Sequence, residues 1–140
     1  IMEYVVLVND CDEPVGLMEK MEAHRKGVLH RAFSVFIFND KGDMLLQKRA
    51  ASKYHSAGLW TNACCSHPRE NENIMQAAER RLQEEMGFVC NVEPAFTFIY
   101  QTPFDNGLTE HEYDHVFIGT YQGHIEPNPQ EVSDFCYMPI

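Results

Sequence analysis

A chain of 140 residues, 44% hydrophobic and 23% charged, suits one domain with a sizeable core. Its formal net charge of -10 excludes the basic face of a general nucleic-acid binder, and no apolar run is long enough to span a bilayer. Five cysteines are an odd count in a loop-poor chain, so they read as reduced thiols of a cytoplasmic protein rather than a disulfide framework.

Residues 4–9 read as a strand that ends in a turn-like stretch, 10–16. Residues 17–26 have helical composition and stop at Gly27, and the methionines at 18 and 21 read as helix packing. An aromatic and β-branched strand over 31–39 turns at Asn39-Asp40-Lys41-Gly42 and returns over 44–49 as a hairpin partner. Residues 50–58 form a loop and 59–65 are extended. The clearest helix covers 74–86, with Asn73 as its cap, Gln76 in the capping-box position and Gly87 as its stop. Further strands are expected over 88–102, 111–122 and 132–138. The result is an α/β (α+β) chain, a mixed sheet flanked by helices, with no visible repeat or linker.

Charge enters the interior on that clearest helix. Ile74, Ala77, Ala78 and Leu82 mark its buried stripe, and Arg81 and Glu85 fall on the same stripe. A core-facing Arg and Glu at i, i+4 form either a partly buried ion pair or the lining of a polar site. In the second case Glu85 holds a cation and Arg81 an anion. From Glu72, seven residues lead to Arg80-Arg81-Leu82-Gln83-Glu84-Glu85-Met86-Gly87-Phe88. This resembles the Nudix box, Gly-x5-Glu-x7-Arg-Glu-U-x-Glu-Glu-x-Gly-U, in which U is bulky and apolar. Ser66 stands in place of the opening Gly and Arg81 in place of a Glu. In Nudix pyrophosphohydrolases several carboxylates of this helix hold divalent ions. Exchanging one for Arg81 removes a ligand and adds an anion clamp, so the site stays suited to a diphosphate and becomes less suited to cleaving it.

On a strand through Thr109–Phe117, Glu110, Glu112 and Asp114 share one face. They form a solvated outer face, or a site with something positive between Glu110 and Glu112. His24 and His30 flank Gly27, and His67 lies in Cys64-Cys65-Ser66-His67-Pro68. Three imidazoles and two carboxylates would suit a divalent ion, but spacing alone does not bring them together.

The runs His30-Arg31-Ala32-Phe33-Ser34, Leu59 through Pro68, Arg80 through Gly87, and Glu110-His111-Glu112-Tyr113 resemble type I isopentenyl-diphosphate isomerases, from about Lys20 to the end of the chain. The resemblance implies a Nudix-like single domain over 1–140 and a small-molecule diphosphate substrate, with neither nucleic acid nor membrane as partner, and a monomer or weak homodimer. It implies Cys65 and Glu112 as the catalytic pair, with Tyr100 orienting or polarising the carboxyl. His24, His30, His67, Glu110 and Glu112 would bind one divalent ion, Mn²⁺, Zn²⁺ or Mg²⁺. Glu85 and the Cys65 carbonyl would help hold a Mg²⁺ that bridges to the diphosphate. Lys20, Arg49, Lys53 and Arg81 would contact that diphosphate, and Ser66 would add a hydrogen bond. Family members carry a Trp in a C-terminal extension that the chain to Ile140 does not include, and Trp60 reads as a pocket or core residue. Cys11, Cys64, Cys90 and Cys136 read as inert thiols, and His55, His111, His115 and His124 as surface or supporting residues.

Overall fold

The computed structural model describes residues 2–53 and 56–140, so His55 lies outside the described residues. In chain order the elements are β1 (Tyr4–Val8), β2 (Pro14–Glu19), α1 (Lys20–Lys26), β3 (His30–Phe38), β4 (Met44–Arg49), β5 (Trp60–Thr61), β6 (Cys64–Ser66), α2 (Ile74–Met86), β7 (Val92–Pro103), β8 (Thr109–Thr120) and β9 (Val132–Met138). This is the expected mixed sheet with two helices. Among the described residues no helix is long and apolar enough to cross a membrane.

Strand β3 organises the sheet. One edge runs parallel to β8 from His30↔Glu112 to Phe38↔Thr120. The other is shared in turn by β1 at His30, β6 at Phe33 to Val35 and β4 at Phe38. The β3–β4 hairpin closes as expected: Asn39 Oδ1 accepts from the N–H groups of Lys41 and Asp43, and Gly42 takes a positive φ of 78°. Strand β7 then pairs antiparallel with β8, and β9 with β4.

Two local expectations need correction. Residues 14–19 form β2, antiparallel to β1, where a turn and the start of a helix are expected. Met18 is therefore a strand residue, and α1 starts only at Lys20. Pairing with β1 overrides the helical preference of Leu17-Met18-Glu19. Glu19 then caps the short helix, its carboxylate accepting from the N–H groups of Met21 and Glu22. The extended run over 59–65 is broken at Asn62 and Ala63, so β5 pairs with β4 and β6 with β3.

Alternation on β3 separates core from site. Phe33, Val35 and Ile37 point one way, where they pack with Cys64, Phe117 and the buried face of α2, namely Ala77, Ala78, Leu82 and Met86. His30 and Ser34 occupy the opposite face, together with Cys65 and Asp114. Helix α2 has the expected ends: Asn73 Oδ1 accepts from the N–H groups of Met75 and Gln76, and Gly87 closes it in the left-handed region. A Cβ at Gly87 would collide with the Glu126 carbonyl, a second reason for glycine there.

Candidate active site

Strand register builds the centre of the site. Glu112 on β8 lies directly opposite His30 on β3 and Tyr100 on β7, so three neighbouring strands set three functional side chains in a row. The Tyr100 hydroxyl donates its one hydrogen to Glu112 Oε1 at 2.5 Å, and Glu110 Oε1 lies 2.9 Å from the same phenol oxygen. Burial and then the two carboxylates push the phenol far above its ordinary range, which keeps it a donor.

Helix α1 and strand β6 bring His24 and His67 to the same place. Ligand atoms of His24, His30, His67 and Glu112 all lie within 4.8 Å of one another. His24 Nδ1 is 2.7 Å from the Lys20 carbonyl, and His30 Nδ1 is 2.9 Å from the Val28 carbonyl. A carbonyl only accepts, so both Nδ1 atoms carry a proton and both Nε2 atoms are left facing the group. The buried His30 Nε2 has no hydrogen bond among the described residues and lies 3.4 Å from Glu112 Oε2; His67 Nε2 is 3.2 Å from the same oxygen. Burial lowers both His24 and His67, keeping their rings neutral. Burial opposes charge on Glu112, but His30 and His67 outweigh it and hold the carboxyl well below the ordinary range. Three imidazoles around an ionised carboxylate are a ligand set that fits a divalent cation. Glu110 stands beside this group, joined to it through Tyr100.

Cys64 and Cys65 point oppositely, as expected of an extended pair: Cys64 is fully buried in the core, and Cys65 opens onto a cavity of about 310 Å³. Tyr100 and Glu112 line that cavity with Cys65, and Leu59, Trp60 and Phe104 give it apolar walls. Trp60 is thus a wall residue, 46% exposed, and not part of the core. Protein packed around the cavity disfavours a thiolate and pushes Cys65 up to about 12. Ser34 Oγ, 3.6 Å from the sulfur, donates to Asp114 Oδ2 at 2.8 Å. Burial raises Asp114 to about 7.

Next to the thiol a small polar pocket is lined by Lys20, Arg49, Lys53, Ser66, Arg81 and Glu85, six residues expected at a diphosphate site. Arg81 and Glu85 form a 2.7 Å ion pair, and both line this pocket. Arg81 also reaches Glu84 at 2.7 Å and Glu131 at 3.3 Å, so it stays charged despite burial. Box residues Glu72 and Arg80 instead form a two-pronged pair at 2.8 and 3.0 Å that ties the preceding loop to α2.

Several polar residues of the site carried no sequence signal. Gln47 joins the Ala63 carbonyl, at 2.6 Å, to Glu85 Oε1, at 3.0 Å. Glu131 accepts from Lys53 at 2.6 Å as well as from Arg81. Asn62, Ser34 and Asp114 surround the thiol. Only the shared strand face hinted at Asp114. Of the remaining histidines, His111 bonds the Gly27 carbonyl, His115 pairs with Asp12 across 2.8 Å, and His124 is exposed. All five cysteines are free.

A family model described as NUDIX domain matches residues 28–140. A relative from Photorhabdus laumondii, named isopentenyl-diphosphate Delta-isomerase 2, is 56% identical over 138 residues, which cover 99% of this chain and 78% of that protein. Another of the same name, from Aromatoleum aromaticum, is 51% identical over 138 residues, covering 99% and 73%. Among solved structures, DR0079 from Deinococcus radiodurans superposes with a TM-score of 0.79 at 22% identity, over 97% of this chain and 83% of that one. The MutT protein from Methanosarcina mazei superposes with a TM-score of 0.65 at 18% identity, over 79% and 76%. Both likenesses show the fold.

Proposed function

The chain belongs to the isopentenyl-diphosphate isomerases of the NUDIX-domain family, and on that footing we propose how its own residues move the double bond. The reaction converts isopentenyl diphosphate to dimethylallyl diphosphate, a precursor step of isoprenoid synthesis. An unactivated alkene is a poor base. A proton must be added at the terminal carbon and another removed two bonds away, through a species with tertiary carbocation character. Cys65 and Glu112 serve as the two proton-carrying groups, one giving and the other taking. The observation that carries this is their opening onto one cavity, with Tyr100 donating to the carboxyl and Leu59, Trp60 and Phe104 supplying an apolar part of the wall.

The polar pocket beside the thiol takes the diphosphate. Lys20, Arg49, Lys53 and Arg81 supply positive charge, and Ser66 a hydroxyl donor. The alkenyl tail then extends past Cys65 toward Leu59, Trp60 and Phe104. Aromatic faces there shield the cationic carbon from water and contribute about 2 kcal/mol of cation–π attraction when desolvated. His24, His30, His67 and Glu112, with Glu110 beside them, would hold one divalent ion, Mn²⁺, Zn²⁺ or Mg²⁺. Glu85 and the Cys65 carbonyl would hold a Mg²⁺ for the diphosphate. These ions would supply positive charge that sets the acidity of the carboxyl and neutralises the phosphates. We propose a monomer or weak homodimer, in the cytoplasm, as the working unit.

Arg81 occupies a position that the Nudix box gives to a carboxylate, which disfavours diphosphate cleavage. The test is product analysis in heavy water with metal-loaded protein. Dimethylallyl diphosphate carrying deuterium, with no phosphate release, is expected. Phosphate release without isomerisation would overturn the assignment.

A further inference from the structure

With Cys65 taken as the proton-carrying thiol proposed above, we infer that Asn62 is the positioning residue that holds its sulfur, the Asn62 carboxamide oxygen accepting the S–H hydrogen. Asn62 sits in the break between β5 and β6, three residues before Cys65. Its Nδ2 lies 2.8 Å from the Val35 carbonyl and 3.0 Å from the Cys64 carbonyl. Two carbonyls can only accept, so both amide hydrogens are committed to them and the orientation of the carboxamide is settled. The oxygen is left facing the other way, where Thr61 Oγ1 donates to it at 2.9 Å and Cys65 Sγ lies 3.1 Å away. That oxygen cannot donate, so across this contact the thiol does; Ser34 Oγ is a second acceptor, but at 3.6 Å against 3.1 Å the hydrogen is assigned to the Asn62 side of the sulfur.

The break in the strand thereby acquires a purpose. The Val35 bond ties Asn62 to β3, whose pairing with β6 already sets the Cys65 backbone opposite Ser34. The thiol is located twice from the same strand, once by main-chain register and once through the carboxamide. A side chain with a single χ1 rotation has three staggered choices, and a fixed acceptor selects among them. Proton transfer is sensitive to such placement, since a displacement of about 1 Å at a reacting group can cost about 100-fold in rate.

The test compares metal-loaded wild type, Asn62→Ala, Cys65→Ala and the double variant. Asn62→Ala is expected to lose between about 10-fold and 100-fold in kcat with KM within about threefold. Its effect should vanish on the Cys65→Ala background, measured on residual turnover. Because Asn62→Ala also removes bonds to two carbonyls, an infrared difference spectrum supplies an independent readout. The S–H stretch absent from Cys65→Ala should move toward the frequency of an unbonded thiol in Asn62→Ala and in the isosteric Asn62→Leu, read on whichever of the two is folded by circular dichroism. An unshifted S–H band, or unchanged kcat in a folded Asn62→Ala, would overturn the positioning role while leaving the catalytic assignment intact. Normal turnover by Cys65→Ala would instead remove the assignment on which that role stands.

Discussion

Replacing Tyr100 with Phe removes one oxygen and keeps the ring. That hydroxyl donates to Glu112 Oε1 at 2.5 Å, with Glu110 Oε1 2.9 Å away. A hydrogen bond to a charged group contributes about 1.5–3 kcal/mol. Loss of the Glu112 bond alone therefore predicts a fall in kcat of about 10-fold to 100-fold. The substrate's diphosphate is gripped elsewhere, by Lys20, Arg49, Lys53 and Arg81, so KM should stay within about twofold. The ring retains its stack on Phe98, with centroids 5.5 Å apart, so the thermal midpoint should move little. Steady-state kinetics with a product assay measure all of this, and differential scanning calorimetry checks the fold. A kcat within twofold of wild type would refute the role of the hydroxyl. A KM that rose in step with the fall in kcat would place Tyr100 in substrate binding instead.

Arg81→Met keeps the apolar stem of the side chain but leaves Glu85, 6% exposed at its side chain, without its 2.7 Å partner. KM for the diphosphate should rise at least tenfold, and metal-free protein should lose about 3 kcal/mol or more of stability by denaturant titration; unchanged values would deny the clamp. In metal-free protein, Asp114 is raised by burial from 3.8 to about 7. The folded chain thus keeps a proton that the unfolded chain releases, so this contribution to stability is full below pH 3.8 and is lost as pH rises through about 7. Asp114→Asn should flatten that slope and gain on wild type toward neutral pH; parallel curves for the two proteins would contradict it. Chelation should abolish turnover and lower the thermal midpoint, both restored by a divalent ion. A midpoint insensitive to metal would argue against a bound ion at the histidine group.

How legible the molecule was in its sequence depended on whether a local rule decided each part. The turn at Asn39 to Gly42 and the ends of α2 follow from side-chain caps and glycine geometry, and both appear where expected. Strand β2 was missed because Leu17-Met18-Glu19 favour a helix locally, whereas pairing with β1 acts from a distance. The histidine group could not be assembled from spacing: the parallel β3–β8 register sets Glu112 opposite His30, His67 follows β6 where it pairs with β3, and His24 comes from helix α1. Family likeness alone pointed to it. Gln47, Asn62 and Glu131 escaped because a polar residue in a short sequence window does not declare which buried group it will bond. Arg81 and Glu85 were legible because two opposite charges on the buried stripe of an amphipathic helix must answer each other or a ligand.

The pairing of a thiol with a carboxyl across one cavity is tested most directly by the kinetics of Cys65→Ala and Glu112→Gln, each with its fold checked by circular dichroism. Both substitutions should reduce isomerisation by at least about 1000-fold, as expected where one of two proton-transfer groups is lost. Turnover by either folded variant within tenfold of wild type would contradict the pairing.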